Sequence, residues 1–246
     1  MTFETGLILA GALVGGFVNG LTGFGTGITA LVFWLYAMPP VVAAPLVAAC
    51  SVIGQLQALP MLRASIDLKR LAPFLAAGLP AVPVGAWLVA YTPINAVKLG
   101  LGVLLVTSSS FLLFWNRPAR RRIGGKPGDA AVGLIGGVLG GLAGLSGVLV
   151  TLWVSLQPWG RDERRAVFQG FNLVVLASVL VVYAVMGQLS SEFFRAFLLA
   201  LPGTVVGAYV GQVVYQKLAD ETFRRLVLGL LLIAGLTLVA VNIGAA

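Results

Sequence analysis

The sequence predicts an all-α polytopic transmembrane protein of two inverted repeats, each a Gly-rich broken or re-entrant helical segment followed by three transmembrane helices. Three observations carry this reading. Hydrophobic residues make up 59% of the 246-residue chain, charged residues only 10%, and mean hydropathy is +1.01, a composition suited to lipid. A spanning helix needs about 20 mostly apolar residues, and such stretches tile almost the whole chain. Finally, the chain repeats itself. At an offset of 121, Gly15, Gly16, Gly20, Leu21 and Gly23 fall on Gly136, Gly137, Gly141, Leu142 and Gly144. At an offset of 122, Leu79, Pro80, Gly85 and Ala86 fall on Leu201, Pro202, Gly207 and Ala208. Duplications of this kind are common in secondary transporters.

In chain order, apolar runs lie near 6–36, 41–62, 71–91 and 95–115, then a basic linker from Asn116 to Asp129, then runs near 130–157, 165–187, 192–215 and 223–244. The expected organisation is therefore a first membrane repeat over 1–115, a cytoplasmic linker over 116–129 and a second repeat over 130–246. The first run lacks a basic flank and many more follow, so it is not expected to be a cleaved signal.

Orientation follows from Lys and Arg in short loops. If all eight runs cross the bilayer, the cations divide nine against seven. If the first run of each half enters and leaves on one side, fourteen of the sixteen fall on one face, with only Lys98 and Arg195 opposite. The second arrangement leaves three crossings per half and so makes the halves antiparallel.

The first runs, about 31 and 28 residues long, can each hold two half-helices of a hairpin. Glycine costs up to about 1 kcal/mol per helical position relative to alanine, so Gly20, Gly23, Gly25 and Gly27, with Gly141 and Gly144 in the second half, mark the expected breaks. The two tips are expected to meet near the midplane. A second reading makes the same glycines small-residue faces for close packing, as in Gly16 and Gly20 or Gly137, Gly141 and Gly144. Pro80 and Pro202 are expected to break or kink the third run of each half, as a gate or as a static bend. Trp34, Trp87, Trp115, Trp153 and Trp159 mostly fall near run ends, where interfacial anchoring accounts for them.

The chemistry is that of an anion-tolerant interior. All eight acidic residues lie at run ends or in loops, which argues against a carboxylate proton relay or an acid-lined cation pore. Facilitated diffusion or sodium coupling is favoured over proton exchange. Lys and Arg are also missing from the run centres, so an anion site is expected to use helix N-terminal N–H groups and neutral donors. Candidates are Asn19, Thr22 and Thr26 at the first tip, Ser146 and Thr151 at the second, and Ser51, Gln55, Gln169 and Asn172 in the following helices. Each also has a bland explanation: Ser and Thr bond their own helix backbone, and Asn or Gln bridge helices.

Other chemistries are excluded by composition. A lone Cys50 and the absence of His leave no disulfide and no Cys- or His-based metal site, so neither metal nor cofactor is expected. The segment Gly144 to Gly147, GLSG, has the form of an intramembrane serine protease nucleophile, but no His or well-placed Lys can activate it, so no enzyme is expected. There is no phosphate-binding loop for nucleotide-driven transport. The net charge of +8 reflects membrane-facing loops rather than nucleic-acid binding.

The Gly-rich first segment of both halves, the duplicated four-run layout, the Pro80 and Pro202 segments and the short basic linker together resemble the TauE/SafE family of sulfite exporters and four-toluene-sulfonate uptake permeases. The resemblance covers nearly the whole chain. It implies a bacterial inner-membrane permease for small sulfur-containing anions, often exporting them, whose partners are the anion and the bilayer. Asn19 and Thr22 stand where the second half has Gly140 and Ala143, an asymmetry expected to tune the substrate. Competing expectations are a carrier of another small metabolite or inorganic ion, and a non-transporting membrane assembly factor.

Overall fold

The computed structural model describes residues 3–88, 94–114, 122–143 and 145–243, and every regular element among them is helical. The first half contains α1 (Phe3–Thr22), α2 (Thr26–Trp34), α3 (Pro40–Leu62), α4 (Leu68–Leu88) and α5 (Ile94–Phe114). The second contains α6 (Gly125–Ala143), α7 (Ser146–Ser155), α8 (Arg161–Val185), α9 (Ser191–Lys217) and α10 (Asp220–Ile243). Helix α6 thus begins inside the expected linker, taking Gly125 to Asp129 into its first turns.

The first apolar run does break. Gly23 and Gly25 adopt φ of 83° and 91°, a left-handed region that costs glycine little and other residues much. Helix α2 then folds back along α1, so that Gly11 of α1 faces Trp34 and Gly15 faces Ala30 and Thr26. In the second half α7 returns along α6, with Gly128 facing Trp153 and Gly140 facing Ser146. The arms are unequal rather than two half-helices: 20 and 9 residues in the first hairpin, 19 and 10 in the second. The long arms continue because their glycines are held by packing. A Cβ at Gly20 would overlap the Ala208 backbone, and one at Gly141 would overlap Val82. Gly20 and Gly141 are therefore close-packing positions within α1 and α6, and the expectation that they break the helix is corrected. Gly144 lies outside the described residues. Helices α4 and α9 also run unbroken through Pro80 and Pro202, so neither proline ends its helix.

Two tryptophans expected as interfacial anchors brace the hairpins instead. Trp34 is fully buried and its Nε1 donates to the Ile8 carbonyl at 3.0 Å. Trp153 takes the corresponding place in the second hairpin, where its Nε1 donates to Asp129 Oδ1 at 2.9 Å.

The halves pack reciprocally. Helix α1 lies along α9, and α6 lies along α4. Gly16 and Gly20 meet Thr204 and Ala208, while Gly133, Gly137 and Gly141 meet Phe74, Gly78 and Val82. Contacts recurring every four residues in the same direction make both pairs parallel, with backbones as close as glycine allows. Helices α3 and α8 pair with each other, as do α5 and α10. Each hairpin is thus seated on the third-run helix of the opposite half.

Among the described residues six helices, α1, α3, α4, α8, α9 and α10, are long and apolar enough to cross a membrane. Large apolar side chains such as Val32, Phe111, Val181, Leu198 and Ile233 face outward while Asn19, Gln55 and Gln169 are buried, the arrangement lipid demands. Charged residues gather at one end. Arg70 pairs with Glu163 at 2.9 Å, and the Arg70 and Arg122 guanidinium groups lie 5.2 and 5.6 Å from the Trp159 ring centre. Arg161 donates to the Leu218 carbonyl and lies 3.6 Å from Asp220. The loops before α4, α6, α8 and α10 therefore share one end.

Candidate functional site

Both hairpin breaks converge on one stretch of α8. At the first, Gly23 abuts Phe168 and Gln169, and Phe24 packs edge-on to Phe168. At the second, Ser146 donates to Asn172 Oδ1 at 2.5 Å, one helical turn beyond Gln169.

All nine residues expected to line the site are buried, but they divide by what they do. Thr22 donates to the Val18 carbonyl at 2.8 Å and to that of Phe24 at 3.0 Å, and Thr151 donates to the Gly147 carbonyl at 2.6 Å. Such bonds satisfy local backbone at or near a helix break. Ser51 contributes its main chain, accepting from Asn19 Nδ2 at 3.2 Å. Ser146 and Asn172 bridge α7 to α8. Gln169 bridges α8 to α3, donating from Nε2 to the Gln55 carbonyl at 3.4 Å.

Four polar atoms of these residues have no partner. Both amide atoms of Gln55, which is fully buried, lack a hydrogen bond, as do Asn19 Oδ1 and Thr26 Oγ1. Gln212 of α9, not anticipated from sequence, leaves its Nε2 unpaired. An unsatisfied buried polar group costs about 1–3 kcal/mol, so a cluster of them calls for an explanation. Thr26 also opens α2, whose first-turn N–H groups have no side-chain cap and present the positive end of a helix dipole.

The main correction concerns charge. Arg165, expected as a loop cation, is fully buried on α8. Its Nε donates to Gln169 Oε1 at 3.0 Å, and its terminal nitrogens donate to the Leu21 and Gly20 carbonyls at 3.2 and 2.5 Å. The guanidinium sits 3.8 Å from the centre of the Tyr215 ring. These partners are all neutral, while Asp162 is engaged by the Tyr215 hydroxyl and by Arg161. The carbonyls are those left open at the C-terminus of α1, where the helix dipole favours a cation. Helical spacing could have found this residue: Arg165, Gln169 and Asn172 stand at i, i+4 and i+7, on one face of α8.

The arrangement is a closed polar centre between two broken hairpins, with amides and hydroxyls that lack partners, one helix N-terminus and one buried guanidinium. No group of three or more His, Cys, Asp or Glu gathers among the described residues. A family profile described as sulfite exporter TauE/SafE matches residues 7–238. Neither the curated proteins nor the solved structures contain a match to the chain.

Proposed function

Since the chain belongs to the sulfite exporter TauE/SafE family, a family of membrane transporters for sulfur-type anions, we propose that it exports sulfite or a small organosulfonate across a bacterial inner membrane. The anion binds between the two Gly-rich hairpins, at Asn19, Thr26, Gln55, Gln169 and Asn172 and the N-terminus of α2. The observation that carries this reading is the pair of unpartnered Gln55 amide atoms beside the first hairpin. Thr22, Ser51, Ser146 and Thr151 shape the hairpins and their seats on α3 and α8. The halves act as inverted repeats and expose the site alternately on either side. The reciprocal seating of α1 on α9 and α6 on α4 supports this, because each hairpin then moves with the opposite half.

Proteoliposomes provide the test. Saturable flux of sulfite or sulfoacetate, with chloride moving no faster than in empty vesicles, is expected for the wild type. Asn19→Ala and Asn172→Ala are expected to reduce it at least about tenfold, the cost of one good hydrogen bond to a charged ligand. Wild-type vesicles indistinguishable from empty ones in every sulfur-anion gradient would refute the assignment.

The same reading fixes the topology, with the basic end cytoplasmic and both ends of α2 and α7 within or on the side where their hairpins entered. In a Cys50→Ala background, Ser190→Cys is expected to react with an impermeant thiol reagent added to whole cells. Ala64→Cys is expected to react only after the membrane is opened. The reverse pattern would invert the assigned orientation.

A further inference from the structure

Arg165 is the one fully buried cationic side chain among the described residues, and nothing in the transport reading above uses its charge. We propose that Arg165 selects the anion, and that the terminal carbonyls of α1 hold its place in the empty carrier. An incoming sulfur oxyanion takes over the guanidinium from Gly20 and Leu21, releasing the tip of the first hairpin. This deepens the transport reading and rests on it.

A capping role alone does not account for the residue. The second hairpin has a long arm of similar length, 19 residues against 20, yet at the repeat offset of 121 the positions of Arg165, Gln169 and Asn172 are Ala44, Ala48 and Ser51. The second break is closed by the chain itself, with the Leu145 N–H donating to the Leu139 carbonyl at 3.2 Å. A buried guanidinium is therefore not a general requirement of such a tip. It is also expensive, since an ion removed from water without a directly bonded counter-ion costs several kcal/mol. Its direct partners in the closed state are dipoles and a ring face, and the nearby Asp162 carboxylate is itself held by Arg161 and the Tyr215 hydroxyl.

The geometry suits exchange. A guanidinium has five N–H donors, and three are engaged by Gln169, Leu21 and Gly20. Two carbonyl oxygens from successive residues already meet its two terminal nitrogens, the pattern in which two oxygens of a sulfite or sulfonate would be held. Chloride offers no such pair. The unpartnered Gln55 amide lies on α3 and the unpartnered Asn19 Oδ1 on α1, the elements that Gln169 and Arg165 bridge to α8. Exchange thus couples occupancy to the hairpin: while the site is empty, α1 is latched to α8, and once an anion holds the guanidinium the tip of α1 is released.

Two substitutions test the proposal in reconstituted, full-length protein, read by sulfite flux at varied concentration and by thermal unfolding in detergent with and without sulfite. Arg165→Lys keeps the charge but loses the fork. It is expected to raise KM about tenfold or more while Vmax changes less than about threefold. Gln169→Glu, nearly isosteric, sets a carboxylate against Arg165 Nε as a resident competitor. It also replaces the Nε2 donor to the Gln55 carbonyl with an acceptor, which offsets the ion pair, so it is expected to unfold near the wild-type midpoint, to raise KM about tenfold and to lose the stabilisation that sulfite confers. Either variant folded with a wild-type KM, or showing only a uniform loss of Vmax, would overturn the proposal, as would a requirement for both residues merely to fold. A wild-type protein that neither transports nor is stabilised by sulfite would instead refute the parent assignment.

Discussion

Valine at Gly20 or at Gly137 is expected to leave no folded carrier in the membrane. At both positions a Cβ alone would overlap backbone of the facing helix, Ala208 in one case and Gly78 in the other. Rotamer changes cannot relieve a collision with main chain, so the helices must separate. Because neighbouring contacts recur every four residues along α1–α9 and α4–α6, separation at one point unseats the whole hairpin. Overpacking a tight core typically costs about 1–3 kcal/mol, and in a bilayer no hydrophobic drive presses the helices back together. Added alongside, Gly229→Ala, where a Cβ meets open space, is expected to be neutral or stabilising by up to about 1 kcal/mol. Size-exclusion profiles and detergent unfolding of the variants check this. A monodisperse Gly20→Val protein with an unchanged midpoint would mean that α1 and α9 do not approach as closely as described.

The two readings of the glycines, break and packing, turn out to apply to different glycines. Composition located the clusters, but a glycine's role depends on what faces it. Gly23 and Gly25 take the left-handed turn, whereas Gly20, three residues before the first, is pressed against α9 and stays helical. Charge counting was more decisive than propensity. The fourteen-against-two division called for a first run that returns, and in each half a short helix folds back along the long one, with the basic loops before α4, α6, α8 and α10 at one end; the membrane side on which it returns belongs to the proposed topology. The same counting hid Arg165. A basic residue one turn inside a helix reads as part of a loop cluster, while its long side chain reaches a tip contributed by residues more than 140 positions earlier. Of the polar candidates, the sequence marked which would be buried but not which would be idle. Thr22 and Thr151 are occupied by their own helices, and only long-range packing determines that Gln55 is left without partners.

Gln55→Leu is expected to stabilise the protein and disable it. The leucine side chain is close in volume to glutamine, so it can fill the same fully buried space. The change removes two polar atoms that have no partner in the closed state. Leaving a buried polar group unsatisfied costs about 1–3 kcal/mol, and replacing it with an apolar group of similar shape recovers much of that. The contact between α3 and α8 survives, because Gln169 donates to the Gln55 main-chain carbonyl rather than to its side chain. A residue kept for structure would show the opposite sign, losing stability on substitution. A residue kept for an anion surrenders stability in the empty carrier and recovers it when the ligand binds, the exchange expected of a functional site. The expected result is therefore a midpoint of unfolding above that of the wild type without sulfite, no further rise when sulfite is added, and flux reduced at least about tenfold. A destabilised Gln55→Leu protein that still transports at the wild-type rate would place the anion elsewhere and make the unpaired amide a feature of the fold alone.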